Sequence, residues 1–441
     1  MRVFVIGAGL VGGIIVEALH DDHDLTVVDL DPGMVKQLAQ RFDVATATAS
    51  AVSGRELSAA GIADADLVIA CTSRDEANLV AGTFAHGAAP NARTVVRTSS
   101  AEYVDIWREG RLDVDFVVSS ELETGRAVSA AVGMPSARHV DSFADGQIQL
   151  LELDVRDDAS PDVVNRPLRE AELPGFSRLA AVIRDDKAVL PKGDTVLRPG
   201  DRVVVVGSPA TAGDWCTAVS PQRGRVRDVV VYGAQELGAA IARTLVAQDL
   251  EVRVIEPDLA RAAALAERLP KARVFNTDGL SAEFIQREGI NRVQAAIFAF
   301  RDDHKNLYAA TAASMHGVPY RIALAHAPGS RTVYEHAGID VVVDPQEVTA
   351  EEIVRFAHDP RTKQVSMLEH DRFEILDLTT RPEGDLIGMS LREMPIKDAL
   401  IGAIVRDGRP IFPDSSTVLQ AGDRVIVFTE ASRAPEVERV L

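Results

Sequence analysis

Gly7, Gly9 and Gly12, followed by Asp29, are the residues of this 441-residue chain whose types and spacing speak most directly of chemistry. They lie in Gly7-Ala8-Gly9-Leu10-Val11-Gly12, directly behind the apolar run "RVFVI". In a strand–turn–helix setting Gly7 permits the tight turn, and Gly9 lets backbone approach a pyrophosphate. Gly12 lets the helix pack close to the sheet. The backbone N–H groups of the helix start and their partial positive charge face the phosphates. The following strand, "LTVVD", ends at Asp29, at the distance of about 20 residues where a carboxylate takes the ribose hydroxyls and repels a 2′-phosphate. The pattern therefore predicts NAD or an adenine nucleotide over NADP.

A related loop reads Gly233-Ala234-Gln235-Glu236-Leu237-Gly238, with Glu256 closing its second strand. Gln235 replaces the middle glycine and crowds the pyrophosphate path, and Glu236 adds negative charge. A half kept for assembly is the expectation there.

Groups that could carry out a reaction are scarce. A hydride-transfer enzyme needs a positioned acid or base. One candidate, Lys187 in "RDDK", is replaced by Gly408 in the corresponding "RDGRP" of the second half, and reads as a charged turn. His20 and His23 in "HDDH" have i,i+3 spacing, but they end the first helix, where an imidazolium complements the dipole. There is no HExxH, nucleophile elbow or GxxxxGK[ST]. Cys71 and Cys216 form no CxxC and are expected as buried thiols in a reducing cytoplasm. A net charge of −19 and 5% aromatic residues disfavour nucleic acid as a partner. Strand one begins at Arg2, so no signal peptide is expected, and no apolar run approaches the ~18 residues of a membrane helix.

The elements that must position these residues occur twice. "RVFVIGAGLVGGIIVEALHDDHDLTVVDLDP" matches "DVVVYGAQELGAAIARTLVAQDLEVRVIEPD", and "TVLRPGDRVVVVGSPA" matches "TVLQAGDRVIVFTEAS". A repeat of more than 200 residues is a tandem domain duplication. In the first half, strands are predicted at 2–6, 25–29, 43–46, 66–71, 93–97 and 114–118. Helices start near Leu10, Pro32, Gly54, Asp75 and Ala101. Strands this apolar belong to a parallel sheet buried on both faces. The fold class is α/β: two Rossmann-like doubly wound parallel-sheet domains (1–133 and 227–350), each followed by a small α+β domain (140–220 and 364–441). Strands at 147–154, 179–184 and 202–207 belong to the first small domain, and linkers are expected near 134–146, 209–227 and 346–370.

With these motifs in place, "VIGAGLVGGIIVEAL", "TVVDLDP", "ADLVIACTSRDEANLVA", "TVVRTSSAEY" and "GDRVVVVG" resemble the TrkA family, the cytoplasmic regulatory subunits of Trk-type potassium uptake systems. The Rossmann units resemble RCK (KTN) domains, and the resemblance covers nearly the whole chain. It implies NAD(H), ATP or ADP as ligands, and a homo-oligomeric ring, commonly of four double chains, beneath a membrane potassium transporter. The chain would then be cytoplasmic and peripheral to the membrane through that partner. Residue by residue it places Gly7, Ala8, Gly9, Leu10, Val11, Gly12 and Asp29 on pyrophosphate and ribose. Thr72 and Ser73 fall where family members contact the ligand, and Arg97 matches an arginine that can face a phosphate. Ser50 stands near a position where many members carry Asp or Asn against the adenine. Glu121 matches an acid that in some relatives helps bind a cation beside the nucleotide. The second copy offers Gly233, Gly238, Glu256 and Asp278, but lacks the Arg97 equivalent and has Gln346 where Glu121 would be.

The favoured expectation is a regulator that senses its nucleotide. The rival is an NAD-dependent oxidoreductase, and a third reading is a nucleotide sensor independent of any transporter.

Overall fold

The computed structural model describes residues 1–144, 146–184, 187–221, 226–327, 329–357, 362–368, 373–384, 386–394 and 399–441. The chain opens with β1 (Arg2–Ile6), α1 (Leu10–Leu19), β2 (Asp24–Asp29), α2 (Pro32–Arg41), β3 (Ala45–Thr48) and α3 (Gly54–Ala59). It continues through β4 (Leu67–Ala70), α4 (Asp75–Ala88), β5 (Arg93–Thr98), α5 (Glu102–Arg108), β6 (Phe116–Ser119) and α6 (Ser120–Gly133). The six strands form one parallel sheet ordered β3-β2-β1-β4-β5-β6. This is the doubly wound order, and it reverses between β1 and β4. All four residues of β4 are buried, as a strand covered on both faces requires.

An antiparallel sheet ordered β10-β9-β11-β8-β7 follows, from β7 (Ala137–Phe143), β8 (Ile148–Asp154), β9 (Ser177–Arg184), β10 (Lys187–Val189) and β11 (Arg202–Gly207). It is flanked by α7 (Pro209–Val219).

The second Rossmann unit comprises β12 (Asp228–Tyr232), α8 (Glu236–Ala247), β13 (Glu251–Ile255), α9 (Leu259–Arg268), β14 (Arg273–Phe275) and α10 (Ala282–Arg287). It is completed by β15 (Ala295–Phe298), α11 (Asp303–Met315), β16 (Arg321–Leu324), α12 (Ser330–His336), β17 (Val341–Val343) and α13 (Pro345–Val354), with order β14-β13-β12-β15-β16-β17. The last sheet, β18-β19-β22-β20-β21, holds β18 (Thr362–Leu368), β19 (Phe373–Thr379), β20 (Ala399–Arg406), β21 (Arg409–Ile411) and β22 (Arg424–Glu430), and is followed by α14 (Ala434–Val440).

These four sheets make two compact units that do not follow chain order. One contains Met1–Ser129 and Arg227–Ala357, the two Rossmann sheets. The other contains Ala130–Val226 and His358–Leu441, the two antiparallel sheets.

Within the first unit each Rossmann domain lends its last helix to the other. Helix α13 packs along α1, and α6 packs on α8. A Cβ on Gly125 of α6 would lie 2.8 Å from Thr244 Oγ1 and 3.6 Å from the Ala240 carbonyl, so glycine sets the approach of these helices. Phe116 and Phe356 close the same seam with ring centroids 4.2 Å apart.

Within the second unit the two sheets share a core that includes Phe143, Leu150, Val204, Ile375, Ile426 and Phe428. The aspartate of each repeated "GDR" is buried and held by an arginine fork. Arg184 donates to both oxygens of Asp201 at 2.6 and 2.7 Å, and Arg406 does the same to Asp423 at 2.8 and 2.7 Å. The same aspartates accept Arg198 N and Gln420 N at 2.8 Å each, which fixes the turn before the strand.

The stretches expected as linkers are largely elements. Residues 137–143 form β7, 209–219 form α7, 345–354 form α13 and 362–368 form β18, while 145, 222–225, 358–361 and 369–370 lie outside the described residues. Ser208 caps α7 and Asp344 caps α13, each with proline at the first helical position. Proline and serine there begin a helix instead of breaking one. Among the described residues no helix is long and apolar enough to cross a membrane.

Candidate nucleotide site

The first glycine loop is held in place before any ligand is considered. Gly7 has φ +117°, and a Cβ there would come within 2.9 Å of Thr72 N. A Cβ on Gly12 would be 1.9 Å from the Gly7 carbonyl oxygen. Both positions therefore exclude a side chain. At Gly9 a Cβ would meet nothing within 4 Å, so the loop presents bare backbone to open space. Helix α1 starts behind it with no side-chain cap, which leaves its first N–H groups for a ligand. Beneath the loop the Cys71 thiol faces the Gly7 carbonyl at 3.6 Å, and burial pushes it up to about 12. Cys71 is thus the buried, free thiol expected, whereas Cys216, also free, is only partly buried.

Asp29 ends β2 beside this loop. One carboxylate oxygen accepts Ala8 N at 2.7 Å and the other accepts Asp31 N at 2.8 Å. Ala49 N donates to the Asp29 carbonyl at 3.0 Å, which sets Ser50 at the end of β3 next to the acid. Ser50 N in turn donates to Glu56 at 2.8 Å. Glycine loop, uncapped helix and ordered carboxylate fit an adenine dinucleotide. Leu10 is exposed and Val11 buried, so the loop's two apolar side chains face opposite ways.

Thr72 and Ser73 follow β4 on the other side of the switch point. Asn78, fully buried on α4, braces them. Its Oδ1 accepts Thr72 N at 2.9 Å and Thr72 Oγ1 at 2.6 Å, and its Nδ2 donates to the carbonyls of Thr72 and Arg97 at 3.0 Å each. Asp75 accepts the backbone N–H groups of Ser99 and Ser100. These two bracing residues are absent from the motif reading, although Asn306 and Asp303 recur at the same places in the second copy and make the same kinds of bond. Recurrence in both halves was the signal that marks them.

Arg97 is tied inward. Its NH1 donates to the Thr72 carbonyl at 3.0 Å and its Nε to Ser120 Oγ at 3.2 Å. Ser120 Oγ also donates to Thr349 Oγ1 of α13 at 3.0 Å, whose own proton goes to the Pro345 carbonyl at 2.6 Å, so this arm of the first cleft is hydrogen-bonded to the second Rossmann domain. A cavity of about 570 Å³ lies there, lined from the first domain by Ser73, Arg97, Ser99 and Glu121, and from the second by Gln235, Glu236, Arg301 and Gln346.

Glu121 sits on this cavity with Arg243 3.6 Å away and Ala101 N at 3.3 Å. Burial raises its proton affinity, and the Ala101 N–H and the Arg243 guanidinium only partly offset this. An arginine thus occupies the neighbourhood where the resemblance implies a cation. Among the described residues no group of three or more His, Cys, Asp or Glu could hold a metal ion. The donors present do not fit a metal. His20 is also committed elsewhere, with Nδ1 2.9 Å from the Glu17 carbonyl and its ring on Phe42.

The second cleft keeps the turn and changes the contents. Gly233 has φ +95°, and a Cβ on Gly238 would sit 2.1 Å from the Gly233 oxygen. Glu256, almost fully buried, accepts Ala234 N at 2.7 Å, Asp258 N at 2.9 Å and Arg261 NH2 at 2.9 Å. Burial acts to raise its pKa, but the Arg261, Asp258 and Ala234 hydrogen bonds together hold it below the ordinary range. Arg261 therefore covers the acid that Asp29 leaves uncovered. Asp278 lines a 530 Å³ cavity with Arg261, Phe300 and Tyr308, and Leu324 stands at the Arg97 position.

Family profiles agree with this construction. The TrkA-N domain matches residues 3–120 and 229–345, and the TrkA-C domain matches 153–214 and 376–441. The chain belongs to the TrkA family. Relatives include a Trk system potassium uptake protein TrkA homolog of Archaeoglobus fulgidus, 29% identical over 444 residues and spanning 100% of both chains. Another, from Methanosarcina mazei, is 28% identical over 449 residues, covering 100% of this chain and 99% of the relative. Among solved structures the fold is similar to the GsuK RCK domain, with TM-score 0.61, 17% identity, and 100% and 94% of the two chains covered. It is also similar to the GsuK channel bound to NAD, with TM-score 0.62, 17% identity, and 100% and 78% covered. The TrkA-N matches end at Ser120 and Pro345, where the exchanged helices α6 and α13 begin.

Proposed function

We propose that this chain is the nucleotide-sensing regulatory subunit of a Trk-type potassium uptake system, with NAD(H) as the ligand of its first Rossmann cleft. ATP and ADP share the adenosine diphosphate half and would compete for the same loop and Asp29. The observation that carries the reading is the asymmetry of the two clefts. One has bare backbone at Gly9 and an uncovered ribose acid. The other has Gln235 and an acid covered by Arg261, and a hydrogen-bonded path through Arg97, Ser120 and Thr349 joins them.

A ligand changes a gate only by binding one arrangement more tightly than another. Nucleotide beside Arg97 would compete with the Thr72 and Ser120 contacts of that arginine, and so shift how α13 lies against the first domain. The second, strand-rich unit would serve assembly, the whole forming a homo-oligomeric ring, tetrameric in this reading, against the cytoplasmic side of a membrane transporter subunit. The names of the full-length relatives support the potassium system, and no proton transfer is required of any residue.

The test is potassium flux through the reconstituted membrane partner with this subunit present and NAD, NADH, ATP or ADP added in turn. Flux that depends on nucleotide, and loses the dependence with Asp29→Asn, is the expected result. Flux indifferent to all four would sink the proposal. Asp29→Asn keeps the shape of the side chain but removes the charge, and is expected to weaken NADH binding by about tenfold or more in calorimetry, the scale of a lost charge-assisted contact.

A further inference from the structure

Gln235 is the residue that makes the second loop look degenerate, yet the loop around it has not decayed. Gly233 keeps its positive φ, and Gly238 keeps the close approach that a side chain would block. The side chain's Oε1 is buried and has no hydrogen-bond partner. An unpaired buried acceptor is costly, so a group that pairs with it would bind with advantage.

The cavity that Gln235 enters points to that group. Gln235 lines two spaces, the 530 Å³ cavity of its own cleft beside Glu256 and Asp278, and the 570 Å³ space whose opposite wall is Ser73, Arg97 and Ser99 of the first domain, at the carboxyl ends of β4 and β5; the 570 Å³ space holds an arginine from the Rossmann domain opposite, which the other lacks. In a doubly wound sheet a dinucleotide crosses the switch point, with its adenosine over β1 and β2 and its second nucleoside over the strands beyond. The second nucleoside of a ligand in the first cleft therefore heads into this space. A side-chain amide offers one acceptor and one –NH2, and is the complement of another primary amide.

We infer that Gln235, reaching from the second Rossmann domain, recognises the carboxamide of a nicotinamide dinucleotide held by the first. The altered loop is then part of the first site, and it selects the base of the ligand's distal half. This rests on the first cleft being the dinucleotide site.

Calorimetry on the full chain with three probes, NAD, its nicotinic acid analogue and ADP, tests the inference. The analogue carries a carboxylate where NAD carries the amide. Wild type is expected to favour NAD over the analogue by about tenfold, and Gln235→Ala to reduce that preference to within about twofold while leaving ADP affinity unchanged. Gln235→Gly, which places the first loop's middle glycine in the second, should behave like the alanine variant and guards against a local packing effect of either substitution. A preference for NAD that survives both substitutions overturns the inference, as does an equal loss of ADP and NAD. The underlying reading is checked separately with Asp29→Asn. If ADP binding ignores that change, the first cleft is not the site and both proposals fail. If ADP binding needs Asp29 but the amide preference does not need Gln235, this inference alone fails.

Discussion

Gly9 and Gly12 are glycines for different reasons, and substitution separates them. Gly12→Ala drives a methyl group into the Gly7 carbonyl at 1.9 Å, so stability should fall by about 1–3 kcal/mol, in the range of overpacking, and nucleotide binding with it. Gly9→Ala meets nothing within 4 Å. Its melting temperature should match wild type while NADH binding weakens severalfold, because the methyl stands in the path of the phosphates. Equal loss of stability in both variants would contradict this assignment. At this scale the sequence placed the turn. Gly7 and Gly12 meet with Asp29 beside them as their spacing implies, and Thr72, singled out by the family resemblance, packs against Gly7. What escaped were residues whose work is second-hand. Asn78 is buried and Asp75 is spent on the N–H groups of Ser99 and Ser100, so both shape the backbone around the cleft, and a motif centred on phosphate chemistry passes over them.

Between elements, the exchange of α6 and α13 decides how the two Rossmann domains communicate. Thr349→Val removes the hydroxyl that α13 offers to Ser120 and keeps the volume. NADH affinity should stay within about twofold, while hydrogen exchange in α13 rises, since the bond lost is one of few polar ties across the seam. Unchanged exchange would show that apolar packing alone holds the helix. Strand and helix positions in the first domain were legible because its apolar runs are short, buried and punctuated by Asp31, Ser53 and other caps. Two of the misread segments share a cause. Residues 209–219 and 345–354 open with Pro behind a capping Ser or Asp, a helix start that composition alone confuses with a linker. In 137–143 an edge strand alternates poorly, with only Ala137 and Phe143 buried.

Over the whole molecule, acid should act on the second Rossmann domain. Glu256 and Asp303 both titrate below their ordinary values of 4.5 and 3.8. At each, burial is outweighed by hydrogen bonds, from Arg261 and two backbone N–H groups at Glu256, and from Ser330, Ala327 and His326 at Asp303. A carboxylate whose folded pKa is depressed contributes stability that is complete above the unfolded value and is lost as pH falls through the folded one. Melting temperature should therefore drop as pH falls below about 4.5. Glu256→Gln should flatten that limb, and parallel wild-type and variant curves would rule out the role given to Glu256. The duplication itself was plain from the sequence, because two long segments align. Which halves would pair was not, since adjacency in the chain suggests that each Rossmann domain belongs with the small domain after it. Burial decides otherwise. The faces of α1 and α8 are covered by α13 and α6, so the chain passes between its two units after Ser129, Val226 and Ala357.

That interleaving makes one chain the equivalent of a symmetric pair of half-length chains. In such a pair every substitution appears on both sides of the axis at once, so a loop could not become a reader of its neighbour's ligand without damaging its own cradle. A single chain carries no such constraint: Gln235, Leu324 and Gln346 stand in one half where Gly9, Arg97 and Glu121 stand in the other. Two halves written in one chain can therefore divide their labour.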